Sequence, residues 1–211
     1  MGELNRRRVV VTGVGACTSL GLTFEDTWAG LLAGRSGVTR IRRFDPEDYR
    51  TTFAAQVPEF DPSLYFDEPM ADKKLDLFTQ ISIIAAEDCL KSSAIDLDAV
   101  DRERFGCIMG TGIGGITAIE GHHVMMLERG PRRASPHFIP KMMPNAMSGQ
   151  LSIRFGLQGT NFATSSACAS AGHALGIALR TIQYGEAALL LSGGSEAAVS
   201  TQAVAAFRAL K

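Results

Sequence analysis

Histidine and cysteine are both scarce in this 211-residue chain, four of each, and neither gathers as a metal site requires. Cys17, Cys89, Cys107 and Cys168 show no CxxC spacing and no histidine-rich neighbourhood, which argues against structural zinc. They form no recognisable disulfide framework either, and a chain of this length can bury a core without staples, so a reducing cytoplasm is the expected compartment. No stretch approaches the ~18 apolar residues that a membrane span needs. Charge of one sign is also missing: the formal net charge is −1. No whole-molecule field therefore draws the chain to nucleic acid or to a membrane, and any electrostatic partner must be met by a local patch. Tandem repeats and low-complexity tracts are absent. What remains is a chain that is 45% hydrophobic and 20% charged, enough for one packed domain with a polar surface.

Strand and helix signals alternate along it. "RRVVVTGVG" has three arginines before an apolar run, as a secretory signal does, but the run is short, β-branched and broken by Gly13 and Gly15. It reads as a first buried strand entering a loop. "TFEDTWAGLLAG" reads as an amphipathic helix with Thr23 as N-cap and Asp26 three residues on. Residues 35–70 form an excursion with four prolines and at most a short strand at "TFAAQV". "DLFTQISIIAAEDCLKSSA" has apolar residues at helical spacing. "RFGCIMGTG" is a strand, "GGITAIEGHHVMMLERG" and "MMPNAMSGQLSIRFGL" are helices, "TNFATSSA" a strand, residues 168–184 a helix, and "AALLLSGGSE" a strand ending in a glycine turn. This order, with fully apolar strands, predicts an α/β sheet covered on both faces. "STQAVAAFRALK" opens a helical pattern that stops without a cap, so the chain is expected to be cut short.

Three motifs bear on chemistry. "GTGIGG" (Gly110, Gly112, Gly115) fits GxGxxG between a strand and a helix. A dinucleotide site would place it on the first strand with an acidic residue about 20 residues later, and neither holds here. The alternative is a tight turn where backbone passes close to a ligand. "GGSEA" around Ser195 lacks the last glycine of GxSxG, so a hydrolase of that type is not supported. Cys168, in "TSSACASAGHAL", is flanked by alanine, serine and glycine, which leave room beside the sulfur. A helix starting there would aim free N–H groups at the side chain, favouring thiolate and an oxyanion next to it. Cys107 and Cys89 suit inert packing, and Cys17 reads as structural. A base is harder to find. His122 and His123 face about 100° apart on one helix, His137 lies in "SPHFIP", and His173 is expected to point away from the helix start.

"VVVTGVGACTSLG", "LLAGRSGV", "FDP", "KKLDLFTQ", "GTGIGG", "GPRRASPHFIP", "FATSSACASAGHALGIALRTIQYGEAALLLSGGSE" and "AFRAL" follow one another as in β-ketoacyl-[acyl-carrier-protein] synthases, and the chain resembles the elongating type II members over its whole length. The resemblance implies a thiolase-like fold of two similar halves stacked α-β-α-β-α, each a mixed sheet with helices. Residues 1–211 would be the N-terminal half, an incomplete sandwich cut before the C-terminal half. It further implies an acyltransferase with Cys168 as the nucleophile that accepts an acyl chain, followed by decarboxylative Claisen condensation with a malonyl group. No cofactor or metal is implied, since both substrates ride on the phosphopantetheine of acyl carrier protein. The family's two catalytic histidines belong to the second half, so the fragment alone is expected to be inactive.

By the same resemblance, Gly112 and Ile113 line the acyl pocket, and Lys73, Lys74, Arg132, Arg133 and Arg208 meet the acidic carrier protein. Met70 stands where relatives often carry another base. "TNFATSS" would pair with its twin in a homodimer, hiding a sheet edge. Two alternatives remain: a non-catalytic subunit like the chain-length factors, which usually lack the cysteine, and a polyketide β-ketoacyl synthase.

Overall fold

The computed structural model describes residues 6–66 and 74–210. Helix α1 (Phe24–Leu32) leads to a two-stranded antiparallel ribbon, β1 (Val38–Arg40) with β2 (Phe53–Ala55). Helix α2 (Leu77–Ser93), strand β3 (Phe105–Gly110), helices α3 (Ile116–Arg129), α4 (Phe138–Met142) and α5 (Ala146–Phe155), strand β4 (Asn161–Thr164), helix α6 (Ser170–Gln183), strand β5 (Leu189–Gly194) and helix α7 (Thr201–Ala209) follow. The main sheet has the order β4-β3-β5 and is parallel throughout, while β1 and β2 pair antiparallel in the ribbon. Its register aligns Gly110 with both Thr164 and Gly194. All three strands thus end in one row, which is where open α/β sheets place their ligands.

Strand β3 is buried along its whole length, as its unbroken apolar run requires of a central parallel strand. Alternation then decides what each residue meets. Phe105, Cys107 and Met109 enter the larger core with Phe78, Ile81 and Ile83 of α2 and Met147 and Leu151 of α5. Ile108 points the other way, against Ala174 and Ala178 of α6. Helices therefore cover both faces, as the sequence pattern predicts.

The first segment departs from expectation. Residues 6–17 form no strand, and Val10 and Val11 are 64% and 83% exposed. Side chains of α2 hold this segment instead of a ladder. Ser92 Oγ accepts from Val14 N (2.9 Å) and donates to Val14 O (2.7 Å), and Asp88 Oδ2 accepts from Ala16 N (3.2 Å). A Cβ on Gly15 would collide with the Ala85 carbonyl, so the chain crosses α2 at backbone contact. The glycines that break the run are what let it cross α2 this closely.

Caps behave more as predicted. Thr23 Oγ1 accepts from Asp26 N (3.1 Å), yet the reciprocal bond of a capping box is missing because Asp26 Oδ2 takes the Thr23 hydroxyl proton instead (2.9 Å). Asp76 serves two helices. Its Oδ1 accepts from Phe78 N (3.3 Å) at the start of α2, and its Oδ2 from Thr117 Oγ1 (2.6 Å) and Ala118 N (2.8 Å) at the start of α3. The side chain is buried, so Asp76→Ala strands donors from two helix ends. A loss of about 2–4 kcal/mol is expected, read as a lower urea midpoint at an unchanged slope.

Candidate functional site

The row of strand ends carries three loops: Thr111–Gly115 after β3, Ser165–Ala169 after β4 and Ser195–Ser200 after β5. They meet under the first turn of α6. A Cβ on Gly110 would come within 2.6 Å of Ala171 N and collide with the Ser170 backbone, and one on Gly194 would come within 2.6 Å of Ala171 Cβ. Only glycine at both positions lets the helix start rest on the sheet.

Cys168 lies two residues ahead of α6, not on its first residue, and Ala169 is the N-cap. Ala167 before it has φ 51°, a left-handed conformation that costs an L-residue about 1 kcal/mol. Ser170 pays for much of that strain: its buried hydroxyl accepts from Ser166 N (2.8 Å) and donates to Ala167 O (2.7 Å). The amides of Ala169 and Ser170 donate to the carbonyls of Ser166 and Ala167, both at 3.1 Å, so these two are not free donors for an oxyanion. The turn leaves Cys168 exposed.

Cys168 opens into a cleft of about 420 Å³ that Gly112, Ile113, Ser195, Glu196 and Phe207 also line. Glu196, which the sequence reading passed over, is the one charged side chain among the described lining residues. Its Oε2 accepts from Gly112 N (2.7 Å), Ile113 N (3.1 Å) and Thr111 Oγ1 (3.2 Å). The glycine-rich loop therefore spends its amides on an internal carboxylate. Asp76 takes the start of the following helix α3, so a phosphate would meet two fixed negative charges, which removes the dinucleotide reading.

The sequence model described as the β-ketoacyl synthase N-terminal domain matches residues 6–211. This chain belongs to the β-ketoacyl synthase family. The 3-oxoacyl-[acyl-carrier-protein] synthase 2 of Vibrio cholerae is 41% identical over 208 residues, 99% of this chain and 50% of that protein. Among solved structures, the ishigamide ketosynthase/chain length factor superposes with a TM-score of 0.88 at 29% identity, covering 97% of this chain and 51% of that one. A type II PKS acyl-carrier protein in complex with its ketosynthase gives 0.80 at 26% identity, covering 96% and 55%. The chain spans about half the length of the curated relatives it matches, and its fold is that of a thiolase-like ketosynthase half.

Set on this β-ketoacyl synthase frame, the residues singled out in the sequence separate. Cys168, Gly112 and Ile113 share the cleft. Among the described residues lining it there is no histidine. His173 does not point away from the helix start as expected; its Nδ1 lies 2.6 Å from Ser166 Oγ. Helical side chains lean toward the N-terminus, which brings a residue one turn in back over the preceding loop. His122 stacks on Phe138 with ring centroids 3.8 Å apart.

The basic residues do not form one cluster. Lys73, like Met70, lies outside the described residues. Lys74 is exposed beside Asp76, at the N-terminal end of α3, whereas Arg132 and Arg133 are exposed just past its C-terminal end, about 20 Å of helix away. Arg208 is exposed in the last turn of α7. Among the described residues no group of three or more His, Cys, Asp or Glu could hold a metal ion, and no helix is long and apolar enough to cross a membrane.

The four thiols are free but unequal. Burial pushes Cys107 up to about 12, and burial with the Asp88 carboxylate pushes Cys17 up to about 12; the same two causes raise Cys89. A raised thiol stays protonated and unreactive until the pH climbs toward that value. Iodoacetamide at pH 8 should therefore modify Cys168 at least tenfold faster than Cys17 or Cys107. In urea the four rates should converge to within a few-fold, as peptide mass mapping would read.

Proposed function

We propose that this chain carries the acyl-accepting half of a 3-oxoacyl-[acyl-carrier-protein] synthase of fatty acid biosynthesis, with Cys168 as covalent nucleophile. The observation that carries the reading is the exposed thiol opening into a cleft shared with Gly112 and Ile113. Relatives named 3-oxoacyl-[acyl-carrier-protein] synthase 2 support the substrate class.

In this reading Cys168 Sγ gives up its proton and attacks the carbonyl carbon of an acyl-pantetheine thioester. A carbon–sulfur bond forms and the carbonyl electron pair moves to oxygen. Collapse restores the carbonyl, breaks the bond to the pantetheine sulfur and releases the carrier as a thiolate that takes up a proton. A malonyl-carrier then loses CO₂, and the electron pair of the broken carbon–carbon bond attacks the Cys168 thioester. The product is a 3-oxoacyl-carrier two carbons longer, and Sγ is free again. We assign proton handling in the second step to the family's pair of histidines, which the family resemblance places in the second half. Ile113, half-exposed at the cleft, would limit chain length.

Arg132, Arg133, Lys74 and Arg208, with Lys73 by the family resemblance, are the proposed carrier-protein contacts; the carrier in complex with a ketosynthase in one structural neighbour supports the choice of partner. The edge strand β4, paired only with β3 among the described residues and with Phe162 partly exposed, is the proposed seam of a homodimer. Free thiols suit a reducing cytoplasm. The structural likeness to a ketosynthase/chain length factor favours a polyketide β-ketoacyl synthase as the second reading. A non-catalytic chain-length factor fits less well, because those subunits usually lack the cysteine that stands exposed here after the left-handed Ala167.

Two experiments test this. Incubation with an acyl-carrier protein should add one acyl mass to the peptide containing Cys168, and Cys168→Ala should abolish the adduct; an adduct elsewhere, or none on the protein joined to its second half, would sink the proposal. Arg132→Glu with Arg133→Glu should weaken carrier binding at least tenfold at low ionic strength, with the difference shrinking as salt is raised to about 0.5 M.

A further inference from the structure

Glu196 reaches from the exit of β5 across the sheet end to the loop after β3, 84 residues earlier in the chain. Its own position is fixed from below: Ser195 N donates to Gly110 O (3.1 Å) and Ser195 Oγ to Phe78 O of α2 (2.8 Å). One carboxylate oxygen then accepts from Gly112 N, Ile113 N and Thr111 Oγ1. Thr111 is buried, and its hydroxyl also accepts from Gly114 N (3.1 Å), so the amides of three successive residues turn inward, two to Glu196 and one to Thr111. The other side of the loop is tied to the cysteine turn, since Ser165 Oγ donates to Gly112 O (3.4 Å). A Cβ on Gly112 would sit 3.1 Å from Glu196 Oε2, so the glycine leaves the space the carboxylate uses.

We propose that Glu196 is a positioning residue for acyl selectivity: it fixes Ile113 relative to Cys168 and thereby sets which chains the cleft accepts. This rests on the reading of Cys168 as acyl acceptor. Three donors converging on one oxygen fix the loop's place at the exposed rim, where a single bond would compete poorly with water. Once the anchor is removed, the Gly112–Ile113 amides turn to solvent and the Ile113 side chain no longer has one fixed place. A small reagent that needs only the sulfur is unaffected, while a long one that must pass Ile113 is not.

The test measures Cys168 alkylation by iodoacetamide and by N-dodecyl iodoacetamide, with circular dichroism to establish folding. In Glu196→Ala the ratio of the two rates should change at least threefold while the iodoacetamide rate stays within twofold. Glu196→Gln, which keeps an acceptor oxygen without the charge, should hold the ratio within twofold of the parent. An unchanged ratio in Glu196→Ala overturns the inference, as do equal changes in both rates. A Gln variant that shifts as far as Ala also overturns it, because charge and not position would then be operating. Where Glu196→Ala does not fold, Glu196→Asp replaces it: the shorter side chain should shift the ratio where Gln does not, and equal ratios for Asp and Gln overturn the proposal. Failure of Cys168 to react first in the parent chain would instead count against the acyl-acceptor reading itself.

Discussion

The start of α6 rests on the ends of β3 and β5 at backbone contact, and it can do so only because residues 110 and 194 carry no side chain. Everything in the cleft follows from that approach. Gly110 and Gly194 are level in the sheet register, so the helix lands on both strands at once. With Ser170 and Ala171 seated there and Thr164 Oγ1 donating to Ser170 O (2.8 Å), the intervening residues must fit a gap far shorter than their extended reach, so they cannot leave β4 in an extended course. The chain turns sharply through a left-handed Ala167, and Cys168 stands out from the turn into the space between the other two loops. A bulkier residue at either glycine would lift the helix and let the turn relax, and the thiol would lose its fixed place.

Carboxylates hold the loops around this contact. Asp88 accepts from Ala16 N and from Phe24 N (2.6 Å) and joins the first segment and α1 to α2. Asp76 joins the starts of α2 and α3. Glu120, on α3, accepts from Ser200 Oγ (2.5 Å), Thr201 Oγ1 (2.9 Å) and Gln202 N (3.2 Å) and so anchors the start of α7. Glu196 completes the set at the cleft itself. Each meets backbone amides at the beginning of a helix or in a tight loop, where unpaired donors concentrate. The arrangement also explains why a glycine-rich loop before a helix does not bind phosphate here: the protein has supplied the anions.

What the sequence made legible was local. The apolar spacing of residues 77–93, the unbroken run of 105–110 and the Thr23 cap are patterns within a few residues, and they appear where expected. The small residues around Cys168 likewise announced a thiol with room beside it. The strand expected at the N-terminus failed because β-propensity says nothing of a partner; the segment is tied to α2 by Ser92 and Asp88, some 70–80 residues away. Glu196 was hidden for the same reason. It sat in view, in "GGSEA", but its meaning depends on amides 83 and 84 residues earlier. His173 lies near Ser166 because helical side chains lean toward the N-terminus, a direction that position in the sequence does not display.

The cleft floor is made of glycine, alanine and serine, so on the proposed reading little there could discriminate among acyl chains by bulk. The large apolar members of the lining are Ile113 and Phe207. Neither is held by a core: one rides on the loop that Glu196 gathers, the other on α7, whose start Glu120 fixes. On the proposed reading, selectivity for chain shape in this half of the site would reduce to the placement of two side chains, one set by Glu196 accepting two amides and a hydroxyl, the other by Glu120 accepting two hydroxyls and an amide. That separates two demands the site must meet. The thiol needs an immovable mount, which packed glycine contacts give. The acyl wall needs adjustable placement, which hydrogen bonds at a solvent-facing rim allow without disturbing the sulfur.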